Sequence, residues 1–214
     1  MIIYGKQLIL HLLKSYPERI ETIFLAKECE PKLFSQMARV TDKICRIDEK
    51  KAQALSRGGN HQGFIAQIKD VELSSFNEIK KGSFLVVLDE VTDVGNIGAI
   101  ARSAYAFGAD GLILSGVKTC NLEAILRTSS AAAFELPIAV CASTKDMINE
   151  LKQMGFSLYG ADMGGVDVKE VTFAPKRVLI MGSEGKGLSP KVKEKLDKVI
   201  SIKMARAFDS LNVS

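Results

Sequence analysis

The sequence predicts an α/β protein with a mostly parallel sheet, preceded by a smaller α/β domain. Three observations predict it. Strand-like and helical patterns alternate along all 214 residues. In the last two-thirds the strand-like runs are continuously apolar, which marks strands buried on both faces and therefore a parallel sheet covered by helices. Between the two regions lies "KDVELSSFNEIKKG" (69–82), polar and weakly periodic, as expected of a linker that few contacts cross. The division is thus 1–68, a linker over 69–82, and 83–214.

In the first region, "GKQLILHLLKSY" carries helical apolar spacing at Leu8, Leu12 and Leu13. "TIFLA" (22–26) reads as a strand, and "PKLFSQMARV" as a helix with Pro31 in its first turn. "KICRI" reads as a strand, "EKKAQALSRGG" as a helix stopped by Gly58 and Gly59, and "HQGFIAQI" (61–68) as a strand. In the second region, strands are expected at 84–91, 111–116, 137–142, 157–162, 177–182 and 199–204. Helices are expected at 97–107, 121–131, 144–154 and 189–198.

Composition narrows the function. Hydrophobic content of 47% and charged content of 25% are ordinary for a globular protein. No apolar run approaches the ~20 residues that span a bilayer. "MIIYGKQLIL" lacks the order of a signal peptide, so a cytoplasmic protein without membrane contact is expected. Cys29, Cys45, Cys120 and Cys141 are scattered singly, and only two histidines exist, so reduced thiols and no metal site are expected. Net charge is +4, unevenly spread: residues 1–66 carry 11 Lys+Arg against 7 Asp+Glu, and the rest 18 of each. A locally basic module suits a polyanion, though a solvated face gives the same count.

Ligands of parallel sheets bind beyond the carboxyl ends of strands, and three segments qualify. The first is "DEVTDVGNIGAIARSAYAFGADG" (89–111). Its Gly95-Asn96-Ile97-Gly98 turn has GxxG spacing rather than GxGxxG, and the next strand ends in Ser115 and Gly116 rather than a ribose-binding acid. An NAD site is therefore disfavoured. Ile97, Ile100, Ala101 and Ala104 form the packing stripe of the helix. Arg102 falls off it; taken alone, it reads as an exposed arginine and Asn96 as a helix cap. The second segment is "LIMGSEGKGLS" (179–189), with Gly182, Gly185 and Gly187 around Glu184. It lacks Walker spacing, and Glu184 opposes a naked triphosphate. Close backbone approach suits a flat neutral group such as adenine. Ser189 and Pro190 read as the N-cap and first turn of a helix. The third is "SIKMARAFDSLNVS" (201–214), where Ser210, Asn212 and Ser214 alternate with Leu211 and Val213.

Taken in order, GNIGAIARSAYAFG, LIMGSEGKGLS and SIKM…SLNVS resemble the three motifs of the SpoU (TrmH-like) RNA 2′-O-ribose methyltransferases of the SPOUT superfamily. "GGNHQGFIA" (58–66) is similar to the closing segment of that family's substrate-binding domain, so the resemblance covers essentially the whole chain. It implies a C-terminal trefoil knot, a homodimer and S-adenosyl-L-methionine as methyl donor. Position by position, Gly182, Ile202 and Leu211, with Met181 and Met204 beside them, match cofactor-binding positions. Asn96, Arg102, Glu184, Ser210 and Asn212 match active-site positions. Arginine is effectively always protonated, so a fork on the target's phosphate suits Arg102 better than the role of base. Lys6, Lys27, Arg57 and His61 are the candidate RNA contacts, with a structural role for His61 as the alternative.

The expected substrate is a guanosine ribose in the peptidyl-transferase region of 23S rRNA. A tRNA ribose, or a non-catalytic RNA-binding protein of the same fold, is the alternative. Val94 stands where the family commonly has proline after the aspartate. The apolar helix that normally follows the third motif would lie beyond Ser214.

Overall fold

The computed structural model describes residues 1–206 and 211–214, and the chain divides into two units, Met1–Glu72 and Leu73–Ser214. The first unit runs β1 (Ile2–Tyr4), α1 (Lys6–Ser15), β2 (Ile20–Leu25), α2 (Pro31–Ala38), β3 (Ile44–Arg46), α3 (Glu49–Ser56) and β4 (Phe64–Ile68). Its sheet has the order β1-β4-β2-β3, with β4 antiparallel to both neighbours and β2 parallel to β3. β1 was not anticipated, because three residues are too few to show a period. The helices bury the stripe that the sequence marks: Leu8, Ile9 and Leu12 from α1, Leu33 and Met37 from α2. Leu13 lies beside the α1 stripe and is half-buried.

The second unit runs α4 (Phe76–Ile79), β5 (Phe84–Asp89), α5 (Val94–Ala106), β6 (Gly111–Ser115), α6 (Leu122–Thr128), β7 (Ile138–Cys141), α7 (Thr144–Gln153), β8 (Ser157–Asp167), β9 (Arg177–Gly182), α8 (Pro190–Lys193) and β10 (Lys198–Ser201). Its sheet has the order β10-β8-β9-β5-β6-β7, and every neighbouring pair is parallel. Leu85, Val87, Ile113, Leu158, Val178 and Ile180 are wholly buried, as strands covered on both faces require. The chain moves outwards from β5 through β6 to β7, then returns to place β9 on the other side of β5. The carboxyl ends of β5 and β9 therefore meet in mid-sheet, with Asp89 paired to Gly182. That reversal of strand order is where an open parallel sheet forms its ligand crevice.

Four elements differ from expectation. The segment 69–82 is not linker throughout: Ser75 and Glu78 form a reciprocal cap on α4, and Ile79 joins the core of the second unit. α8 stops at Lys193 rather than continuing to 198. Asp197 is drawn to β8 instead: its N–H donates to the Leu158 carbonyl at 2.9 Å, and its carboxylate Oδ2 accepts the Leu158 N–H at 2.7 Å. β8 extends past 162 because β10 pairs with it twice, at Tyr159–Gly160 and again at Val166–Asp167. Between these pairings residues 161–165 bulge out of the β8–β10 ladder, while Ala161 still pairs with Met181 of β9. Finally, β10 ends at Ser201, and Ile202 to Met204 leave the sheet.

All four cysteines are free, and burial pushes the thiols of Cys120 and Cys141 up, with Glu150 adding to the effect at Cys141. Among the described residues, no helix is long and apolar enough to cross a membrane, and no group of three or more His, Cys, Asp and Glu is placed to hold a metal.

Candidate functional site

The glycine loop after β9 is a tight turn whose own geometry explains two of its glycines. Ser183 and Gly187 form a bridge, with the Gly187 N–H donating to the Ser183 carbonyl at 2.8 Å. Gly187 has φ +61°, a region that favours glycine. The loop folds back over Gly182 so closely that a Cβ there would lie 2.2 Å from the carbonyl carbon and oxygen of Gly187. These glycines thus serve the loop's fold, whereas the sequence alone suggests backbone approach to a ligand. The turn leaves Glu184 exposed at its tip. Ser189 then caps α8, accepting the Val192 N–H, with Pro190 in the first turn.

The first motif is built in the same economical way. Asp93, not Asn96, caps α5: its Oδ1 accepts the Asn96 N–H at 2.8 Å. Val94 occupies the first helical position without disturbing that cap. Gly98 is demanded by packing, since a Cβ there would meet the Thr128 hydroxyl at 2.0 Å. The same hydroxyl donates to the Val94 carbonyl at 2.7 Å, locking α6 to the start of α5. With the cap supplied by Asp93, the side chain of Asn96 is released, and its Nδ2 donates to Glu184 Oε1 at 3.1 Å. One hydrogen bond thus joins residues 88 positions apart, one from each of two motifs.

Beyond the ends of β8, β9 and β10 lies a cavity of about 410 Å³. Met181, Gly182 and Glu184 line it from the second motif. Ile202, Met204, Leu211 and Asn212 line it from the third. All five residues matched to cofactor positions therefore face one space. The looped-out part of β8 adds Ala161, Asp162 and Met163, which sequence reading missed. Their signal was faint: Gly164 and Gly165 follow a strand-like run, and a Cβ on Gly165 would lie 2.7 Å from the backbone of Val199 and Ile200. Asp162 stands behind the wall, its Oδ1 accepting the Met163 N–H and its Oδ2 in ion-pair contact with Lys193 at 2.5 Å. That contact has the distance of an ion pair but not the angles of a hydrogen bond. Arg102 sits on the exposed face of α5, off the buried stripe of Ile97, Ile100, Ala101 and Ala104. Ser210 lies outside the described residues.

In the first unit, three loops gather at one end of the sheet. The Lys6 N–H donates to Gln62 Oε1 at 3.0 Å, so Gln62 caps α1, whose N-cap Gly5 has no side chain to do so. A Cβ on Gly63 would press on the Lys27 side chain at 2.9 Å, and one on Gly59 would strike the Tyr4 ring. Arg57 ends α3 with φ +52° and is exposed, as is Lys27. Lys6, Lys27 and Arg57 therefore share one neighbourhood.

His61 does not join them as an exposed contact. It is only 4% exposed, and both ring nitrogens are engaged. Nδ1 accepts the Gly63 N–H at 3.0 Å, which assigns the ring proton to Nε2, 3.1 Å from Glu49 Oε1. Its RNA contact is corrected to a structural one: it braces the 58–63 turn. The Gln53 amide, and after it the His61 ring, hold the Glu49 carboxyl below the usual carboxylate range against the pull of desolvation.

A further feature escaped the sequence reading. Residues 186–206 carry seven Lys+Arg against two Asp+Glu, hidden when charge is averaged over the neutral last two-thirds.

Comparison with known proteins places this geometry. Residues 83–214 match the SpoU rRNA Methylase family, and residues 2–74 match the RNA 2′-O ribose methyltransferase substrate-binding domain. An uncharacterized tRNA/rRNA methyltransferase of Borreliella burgdorferi is 32% identical over 209 residues, covering 90% of this chain and 91% of the relative. One from Archaeoglobus fulgidus is 31% identical over 202 residues, covering 92% and 86%. Among solved structures, the AdoMet-bound rRNA methyltransferase from Sinorhizobium meliloti superimposes with a TM-score of 0.75 at 26% identity, over 99% of this chain and 81% of that one. The SpoU methyltransferase AviRb from Streptomyces viridochromogenes shares the fold, with a TM-score of 0.77 at 24% identity, over 100% and 84%. With matched regions spanning both units, the chain belongs to the SpoU family of RNA methyltransferases.

Proposed function

We propose that this protein transfers a methyl group from S-adenosyl-L-methionine to a ribose 2′-hydroxyl of RNA. The observation that carries this reading is the single cavity lined by the second and third motifs, tied to the first motif by the Asn96–Glu184 hydrogen bond. The cofactor fits the residues present. The cavity lies within the ~300–1,000 Å³ range of small-molecule sites, and Met181, Ile202, Met204 and Leu211 offer apolar walls to a flat base and a thioether chain. The carboxylate of Glu184 at its edge suits a cationic sulfur and an amino group and would repel a phosphate chain. When bound, S-adenosylmethionine supplies a methyl group made electrophilic by a positively charged sulfur.

The chain's own residues supply alignment, which lowers the barrier by many kcal/mol when reacting atoms are held in near-attack geometry. Gly182 and the bridge across 183–187 fix the loop, Met181, Ile202, Met204 and Leu211 grip the cofactor, and Asn96 holds the Glu184 carboxylate at the cavity mouth. Glu184, Asn212 and Ser210 orient the target nucleotide. Arg102 holds the phosphate beside the target ribose with two parallel N–H bonds, polarising the hydroxyl next to it. Lysine, with a point charge, does not reproduce that fork.

A ribose carries no sequence information, so selection falls to a separate surface. Lys6, Lys27 and Arg57, gathered at one end of the first unit, are its proposed phosphate contacts. The proposed target is a guanosine of 23S rRNA in the peptidyl-transferase region, with a tRNA ribose as the alternative that the relatives' names keep open. We further propose a cytoplasmic homodimer with a C-terminal trefoil knot. The exposed Tyr105 in the last turn of the active-site helix and Phe107 just after it offer a second copy an apolar seat. The test is methyl transfer from labelled S-adenosylmethionine to unmodified 23S rRNA and to bulk tRNA, with the modified nucleotide mapped. Label in one rRNA position is expected; label in neither RNA would overturn the reading.

A further inference from the structure

A second cavity of about 410 Å³ lies beyond the carboxyl end of β5, between the starts of α7 and α8. Nothing in the proposed reaction uses it. Its floor is Asp89, only 5% exposed. Asp89 Oδ1 accepts two hydroxyls, Thr144 at 2.7 Å and Ser115 at 3.2 Å. Among the described residues no hydrogen bond reaches Oδ2, and Asp89 lines the cavity. A carboxylate oxygen left open on a cavity lining can accept a hydrogen bond from a ligand that donates one. Lys145, Lys191 and Lys195 line the cavity together with the carboxylates of Glu90 and Glu194, and Lys195 Nζ donates to Asn149 Oδ1 at 2.7 Å, which leaves Lys145 and Lys191 as the cations for an anionic ligand. Lys145 and Lys191 are exposed.

Two further observations select the ligand class. Lys191 and Lys195 belong to the basic tract 186–206, which extends past the cavity and suits a ligand whose anionic part continues along the surface as a polyanion does. The cavity also shares a wall with the cofactor site. Ser189 lines one cavity while Ser183, Glu184 and Gly187 of the same loop line the other, and Lys186 reaches Glu90 at 3.9 Å. Glu90 itself sits at φ +56°, a region that side-chain-bearing residues rarely adopt.

We propose that this second cavity receives a nucleotide of the substrate RNA other than the one methylated, with its phosphate against Lys145 and Lys191 and a sugar or base donor on Asp89. This rests on the methyltransferase reading for the identity of the RNA. Engagement there fixes the 183–189 loop from its outer side, so RNA binding and the placement of Glu184 are linked.

The test uses the full chain with a 23S rRNA transcript carrying photoreactive uridines, without turnover, and maps the crosslinked peptides. Crosslinks within 144–148 or 189–195 are expected. In steady-state assays, the double variant Lys145→Glu/Lys191→Glu is expected to raise KM for RNA about tenfold or more. Its kcat at saturating RNA and its S-adenosylmethionine affinity should stay within about twofold of wild type, a pattern that loss of folding does not produce. Asp89→Asn, which keeps an acceptor for both hydroxyls, should raise the same KM with less effect. Absent crosslinks together with an unchanged KM would overturn the proposal while leaving the methyltransferase reading intact. Crosslinks at the cavity without methyl transfer would uphold the proposal and sink that reading.

Discussion

At the scale of single residues, what matters is which groups are left free once local structure is satisfied. Asn96 is the clearest case. From sequence it reads as a cap; in the fold Asp93 caps the helix, and Asn96 spends its amide on Glu184 instead. Asn96→Ala removes a partly exposed hydrogen bond, so unfolding free energy should change by about 1 kcal/mol or less. Methyl transfer should fall at least about tenfold, because an unheld carboxylate no longer orients the target. Denaturant titration beside turnover separates the two effects. Gly182→Ala should do the opposite. Its methyl group meets the backbone of Gly187, which cannot swing away as a side chain can, so destabilisation of about 1–3 kcal/mol is expected together with weaker cofactor binding. Calorimetry of unfolding and of S-adenosylmethionine binding reads both.

At the scale of elements, the strands and helices of the second unit follow from their apolar patterns, and the exceptions have physical causes. Asp110 shows how a turn is fixed by charge. Desolvation raises its pKa, but the N–H groups of Phe84 and Ser83, the Ser83 hydroxyl and the nearby Arg177 outweigh that, so the carboxyl titrates below 3.8, the ordinary value for aspartate. A group whose pKa is lowered on folding stabilises the protein above its unfolded value, and that contribution disappears as pH falls through the folded value. Asp110→Asn should therefore cost about 1 kcal/mol at neutral pH, a figure kept small by exposure, and the gap from wild type should close as pH falls below 3.8 and through the lowered folded value. Urea unfolding at a series of pH values checks it.

β5 and β6 were legible because burial along almost their whole length leaves little room for polar residues. β1, the second half of β8 and the end of α8 were not. Their limits are set by pairing partners remote in sequence: β4 for β1, β10 for β8, and the Leu158–Asp197 contacts for α8. In the site, Met181, Gly182, Ile202, Met204 and Leu211, singled out through resemblance to ordered motifs, line one cavity, whereas Ala161 to Met163 on the same lining were not legible, because no local rule announces a bulge between two pairings of one strand. His61 was half legible: its type suggested a contact, and only burial and two bonded nitrogens reveal a brace.

At the scale of the whole molecule, one unit carries Lys6, Lys27 and Arg57, and the other lines a cavity with two motifs and ties the first motif to it by the Asn96–Glu184 hydrogen bond. Binding through lysines and arginines is electrostatic, so RNA affinity should fall steeply with salt. Replacing Lys6, Lys27 and Arg57 together by alanine should flatten the plot of log K against log salt by roughly two to three counterions, leaving cofactor affinity unchanged. An unaltered slope would remove these residues from the RNA surface. The chemistry itself is tested most directly by the product. A methyl group on a 2′-oxygen blocks alkaline cleavage of the adjacent phosphodiester, because that oxygen is the nucleophile. RNA labelled by this protein from methyl-tritiated S-adenosylmethionine should, after alkaline hydrolysis, carry its label in an alkali-resistant dinucleotide. Label recovered in a mononucleotide, methylated on the base, would contradict the account.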